Sequence, residues 1–135
     1  MTTVSLGYTI FYVHDVGETL TFFEAAFGLK RRFLTEENDY GELDTGVTTL
    51  AFVSLELAES NLGEAGGFLH PGGATPAPAS ITMVTADVAG AMASAVAAGG
   101  RSYVKAAEKP WGQIVGYILG PSNILIEVGT PVAES

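Results

Sequence analysis

The sequence predicts an α+β protein made of two tandem βαβββ units whose mixed sheets form a concave cup. Three observations predict it. A β-rich run leads into a capped amphipathic helix and then into three extended runs, all between residues 6 and 55. The same order starts again at Ser80. An offset of 72 residues lays Asp15 on Asp87, Val16 on Val88, Ala25-Ala26 on Ala97-Ala98 and Gly28 on Gly100, which marks an internal duplication. The 135 residues, 47% hydrophobic and 16% charged, suit a single domain with a sizeable core. Its parts are a first unit over 1–62, a Gly/Pro-rich linker over 63–78 and a second unit over 79–135.

Leu6 to Val13 is rich in Tyr, Thr, Ile, Phe and Val, and reads as a strand that stops at His14-Asp15. Asp15 is placed to accept the free N–H groups of a first helical turn. Val16, Leu20, Phe23 and Phe27 recur at helical spacing until Gly28, which supplies a left-handed stop. Lys30–Thr35, Tyr40–Thr45 and Thr48–Leu55 form an antiparallel meander, broken by Glu36-Glu37-Asn38-Asp39 and by a tight turn at Gly46. The first break reads as a solvated hairpin turn. A short helix over Glu56–Leu62 precedes Gly63–Pro78, a linker or a lid. In the second unit Ser80–Thr85 is a strand, Asp87 a cap, Val88–Ala98 a small-residue helix and Gly99-Gly100 its stop. Extended runs follow at Ser102–Ala106, Gln113–Leu119 and Ile124–Val128.

Composition narrows the function. Fifteen acidic against six basic residues give a formal charge of −9, which repels a phosphate backbone, so neither nucleic acid nor an anionic membrane is an expected partner. No Cys is present, which removes disulfides, thiolate metal sites and Cys nucleophiles. The first Lys or Arg is Lys30, so the opening apolar stretch lacks the charged start of a signal peptide, and no apolar run is long enough to cross a bilayer. A soluble, cytoplasmic protein is expected. There is no Gly-x-Ser-x-Gly, no phosphate-cradling Gly loop and no paired catalytic acids. Strand parity places Thr9, Phe11 and Val13 on one face of the first strand and Tyr8, Ile10 and Tyr12 on the other. A helix covers one face, and the other face must close on the sister unit, on a second subunit or on a ligand.

Lys109-Pro110-Trp111-Gly112-Gln113, then Tyr117, then Gly120-Pro121-Ser122-Asn123-Ile124-Leu125-Ile126-Glu127 resemble the ending K-P-W-G-x-x-x-x-Y-x-x-D-P-D-G-N-L-I-E of the vicinal oxygen chelate superfamily. This group includes glyoxalase I, extradiol dioxygenases, fosfomycin-resistance enzymes and bleomycin-resistance binding proteins. Phe22-Phe23 with Phe27-Gly28-Leu29 is similar to its F-Y-x-x-x-L-G-L helix. The resemblance covers nearly the whole chain and implies a glyoxalase/bleomycin-resistance-like fold. Where Gly stands in the family turn this chain has Asn123, which tolerates the left-handed conformation.

The metalloenzymes of the family hold a divalent ion with His, Glu or Gln from four strands. The resemblance maps these positions to Tyr8, Ala51, Ser80 and Glu127, and only Glu127 is a donor of the usual kind. No metal and no cofactor are therefore expected, and no residue is assigned a catalytic role. The ligand-binding candidates are Tyr8, Tyr12, Phe68, Ser80, Trp111, Gln113, Tyr117 and Glu127. Glu127 is expected to bond to Tyr8 or Ser80 or to serve as charge partner of a cationic ligand. Trp111, which follows Pro110 in a loop, is expected to line a cleft or a subunit contact. His14 reads as a surface cap partner, and His70 lies in the lid. The leading expectation is a metal-free homodimer of the bleomycin-resistance type, an antibiotic-resistance class, binding a small molecule of cationic or aromatic character. A lyase, isomerase or dioxygenase using a non-standard metal set or acid/base chemistry from Glu127 and Tyr8 is the alternative, and an interaction domain without a small ligand the third.

Overall fold

The computed structural model describes residues 2–65 and 67–132. Its first unit runs β1 (Tyr8–Val13), α1 (Val16–Phe27), β2 (Lys30–Leu34), β3 (Tyr40–Asp44), β4 (Thr49–Ser54) and α2 (Leu55–Leu62). Its second runs β5 (Ile81–Val84), α3 (Val88–Ala97), β6 (Arg101–Glu108), β7 (Ile114–Leu119) and β8 (Leu125–Gly129). The two four-stranded mixed sheets have matching orders, β1-β4-β3-β2 and β5-β8-β7-β6, with β1 parallel to β4 and β5 parallel to β8. The expected duplication of an α+β unit is thus the architecture observed.

The helix ends follow from local chemistry. Asp15 Oδ1 accepts the Glu18 N–H at 3.0 Å, and Gly28, at φ 69°, donates its N–H to the Glu24 carbonyl at 3.0 Å. Asp87 does the same for α3, accepting the Gly90 N–H at 2.9 Å. The stop of α3 falls at Gly99-Gly100 as expected, and the two glycines divide its work. Gly99 carries the positive φ, 109°, whereas Gly100 is needed because a Cβ there would sit 2.9 Å from both the Ala95 carbonyl and Ile118 Cγ2 and 3.1 Å from Phe22 Cε1. Helix α2 begins one residue earlier than expected, since the Ser54 hydroxyl caps it through the Leu57 N–H at 3.1 Å.

Helices α1 and α3 cover one face of their own sheets and pack against each other. Leu20, Phe23, Leu43 and Phe52 from the first unit and Met92, Ile118, Ile126 and Val128 from the second share one core. Burying these apolar faces is the main stabilisation. The opposite faces stay open. Tyr8 is 55% exposed, Ile10 43%, Tyr103 48% and Val104 43%.

Two loops carry contacts that the sequence did not show. The break over residues 36–39 is tied down: Asn38, at φ 59°, accepts the Gly17 N–H at 2.8 Å and donates to Asp15 Oδ1 at 3.2 Å, bracing the start of α1. The Gly/Pro-rich segment is pinned as a strap. Asn123 Nδ2 donates to the carbonyls of Gly72 and Gly73 at 3.1 and 2.7 Å, and His14 Nε2 donates to the Pro71 carbonyl at 2.8 Å. His14 is therefore an anchor between units, its backbone N–H also donating to Ser122 Oγ at 2.9 Å, and not a cap partner of α1. Among the described residues no helix is long and apolar enough to cross a membrane.

Candidate functional site

Glu127 lies on β8 and points to the open face of the second sheet. Its Oε2 accepts the Tyr117 hydroxyl at 2.8 Å and its Oε1 accepts the Thr82 hydroxyl at 2.7 Å. These partners replace the expected Tyr8 and Ser80. The cause is register: β5 pairs with β8 so that Thr82 stands opposite Glu127, while β7 places Tyr117 opposite it on the other side. Period two then puts all three side chains on one face. The hydrogen bond to Glu127, followed by burial, raises the Tyr117 pKa. Ser80 and Tyr117 do line one shallow pocket of ≈ 350 Å³, together with Tyr103, Val104 and Leu125.

The first unit carries a second polar floor that the sequence reading missed. Glu42 on β3 is buried, accepting the Tyr40 hydroxyl at 2.6 Å and Arg32 Nη1 at 3.1 Å. Arg32 also donates to the Thr49 hydroxyl at 3.0 Å and approaches Asp44 at 3.5 Å. Burial, then the bond to Glu42, pushes the Tyr40 pKa far up. Tyr8, the register partner of Thr49, lies beside this network. The spacing Tyr40-x-Glu42-x-Asp44 was the signal that could have found it, since alternate strand residues share a face.

Tyr12 and Phe68 meet in a T-shaped contact with centroids 4.7 Å apart, and Phe68 stacks on His70, whose Nε2 lies 2.6 Å from Glu59 Oε1. Trp111 sits at the tip of the β6–β7 hairpin and is 65% exposed. Its Nε1–H donates to Gln113 Oε1 at 2.9 Å, and Gln113 Nε2 donates to the Thr130 carbonyl at 2.7 Å, which orients the indole. The eight candidates thus form separate groups: Tyr8 with the first floor, Tyr12 with Phe68, Ser80 with Tyr117 and Glu127, and Trp111 with Gln113.

The residues present do not fit a divalent ion. Ile10 faces Ala51 across β1 and β4 where Thr82 faces Glu127 across β5 and β8, so the first unit contributes two aliphatic side chains. Both Glu127 oxygens already accept hydroxyls, and among the described residues no three His, Asp or Glu side chains converge.

Twin βαβββ sheets with helices behind and open, polar-floored faces define a class of protein, and the comparisons agree with it. The family model described as Glyoxalase/Bleomycin resistance protein/Dioxygenase superfamily matches residues 5–128, and the chain belongs to that superfamily. Among solved structures, a glyoxalase-related enzyme from Fulvimarina pelagi is 18% identical with a TM-score of 0.79, over 94% of this chain and 88% of that one. A glyoxalase/bleomycin resistance protein/dioxygenase family enzyme from Burkholderia phytofirmans PsJN is 18% identical with a TM-score of 0.73, over 96% and 100%. TioX from Micromonospora sp. ML1 is similar at 18% identity and a TM-score of 0.67, over 94% and 98%. At this identity the likeness shows the fold. No curated protein matches the chain in sequence.

Proposed function

We propose that the protein is a metal-free binding member of its superfamily: a homodimer whose open sheet faces wall clefts for a small molecule of cationic or aromatic character. The observation that carries this reading is Glu127, a carboxylate held by two neutral hydroxyls and without an ion-pair partner among the described residues. A cationic group brought to it gains an interaction beside the Tyr117 ring, and closure of the face by a second copy would strengthen it. The exposed Tyr8, Ile10, Tyr103 and Val104 support a second copy as the cover of each open face. The charge of −9 supports neither nucleic acid nor an anionic membrane as partner. The single Tyr117 hydroxyl proton is already given to Glu127 Oε2, so toward a ligand this phenol presents only its oxygen lone pairs and its ring.

The test is a calorimetric titration of aromatic quaternary ammonium compounds and their neutral isosteres. The cations should bind the wild type, and Glu127→Gln should weaken them by about tenfold, or about 1.4 kcal/mol, while leaving the neutral series unchanged. Trp111→Ala should weaken both series by about 1–3 kcal/mol if the hairpin tip closes over the ligand. Equal weakening of both series on Glu127→Gln refutes the charge role.

A further inference from the structure

We infer that the strap over residues 67–73 is a latched cover, and that Phe68 is an internal stand-in for the aromatic ring of a ligand at the Tyr12 end of the first open face. The inference rests on reading that face as the ligand-facing surface. Tyr12 shares its side of β1 with Tyr8 and Ile10, so it belongs to the open face and not to the core. Phe68 comes to it from the strap, edge to face at 4.7 Å, the geometry preferred by an aromatic guest on an aromatic wall. Neither ring is buried and the neighbouring Leu69 is 96% exposed, so Phe68 does not anchor a core.

What holds the strap in place is polar and comes from both units. The Pro71 carbonyl accepts from His14, at the end of β1, and the Gly72 and Gly73 carbonyls accept from Asn123, in the turn before β8. Asn123 Oδ1 in turn accepts from Arg101 Nη2 at 3.0 Å. Ser122 and Asn123 are consecutive non-glycine residues at φ 56° and 57°, a conformation that costs an ordinary side chain energy. The same left-handed turn aims Ser122 Oγ at the His14 N–H and Asn123 Nδ2 at the strap. Beyond these the strap has the contact of His70 Nε2 with Glu59 Oε1 of α2 at 2.6 Å, so its closed position depends on a handful of side chains on the surface. A ligand whose site is available only when the strap is open binds with its intrinsic affinity multiplied by the open fraction.

Two substitutions release the latch differently. Asn123→Gly removes the amide and suits the positive φ, while Asn123→Asp keeps an acceptor for Arg101 and turns the donors to Gly72 and Gly73 into a repelling carboxylate. The nuclear Overhauser effect between the Tyr12 and Phe68 rings should be present in the wild type and vanish in both variants. The neutral aromatic dye N-phenyl-1-naphthylamine should bind both variants about fivefold or more tighter than wild type, and Phe68→Ala should tighten it likewise. Persistence of the Overhauser effect in both variants overturns the latch. Weaker dye binding by Phe68→Ala overturns the cover, because Phe68 is then a wall of the site. If no variant binds the dye although the two rings have separated, the open face is refuted as a ligand surface and the latch stands alone.

Discussion

Glu42 and Glu127, one on the open face of each sheet, both accept a tyrosine hydroxyl, at 2.6 Å from Tyr40 and 2.8 Å from Tyr117, yet only Glu42 also meets a guanidinium. Arg32 turns the first floor into a closed ion-pair network, whereas Thr82 offers Glu127 a neutral hydroxyl. The two floors therefore have different uses. The first holds its strands together, and the second leaves a carboxylate without an ion-pair partner among the described residues, the feature on which the proposed ligand role rests.

Removing the phenol at each floor should measure that difference. Tyr40→Phe leaves a buried carboxylate short of one donor and should cost about 1.5–3 kcal/mol of stability, the range for a hydrogen bond to a charged group. Tyr117→Phe affects a more open carboxylate and should cost about 0.5–1.5 kcal/mol. Urea unfolding with matched m-values checks both, and the reverse order would contradict the assignment.

The open faces predict self-association. Wild type should sediment at twice the 14.0 kDa chain mass, and Ile10→Asp, which sets a charge on the 43% exposed centre of β1, should return it to one chain without loss of far-ultraviolet circular dichroism. A wild type that stays monomeric at micromolar concentration removes the dimer from the proposed function.

The cap of α1 predicts a pH dependence of definite sign. The Glu18 N–H, and then the Asn38 side chain, hold the Asp15 pKa below its ordinary value. The contribution is fully present above the unfolded value, about 3.9, and is lost as pH falls through the lowered folded value. The melting-temperature gap between wild type and Asp15→Asn should hold steady above about pH 5 and shrink below about pH 3. A gap that widens on acidification would contradict the cap.

Two glycines should fail for opposite reasons. Gly100→Ala forces a methyl against the Ala95 carbonyl, Ile118 and Phe22 at the seam between the units, and should cost about 1–3 kcal/mol by overpacking. Gly28→Ala meets nothing within 4 Å, and its cost, about 1–2 kcal/mol, comes from φ 69° alone. Trimming Phe22 to Leu should recover only part of the first, since the Ala95 carbonyl and Ile118 Cγ2 still stand 2.9 Å away, and none of the second, which a double-mutant cycle in urea reads directly.

The sequence by itself determined the repeated βαβββ order, the caps at Asp15 and Asp87, the stop at Gly28, the parity of β1 and a turn able to accept left-handed residues near Asn123. Each is a local property, set by capping chemistry or by spacing within a few residues. Only the tertiary structure decided that Glu127 meets Thr82 and Tyr117 rather than Tyr8 or Ser80, that Arg32 closes on Glu42, that Gly100 serves packing, and that His14 and Asn123 hold the strap. Those contacts join residues as far as 108 positions apart, as His14 and Ser122 are. They depend on strand register and on the packing of α1 against α3, and a shift of one residue in register moves every side chain of a strand to the other face.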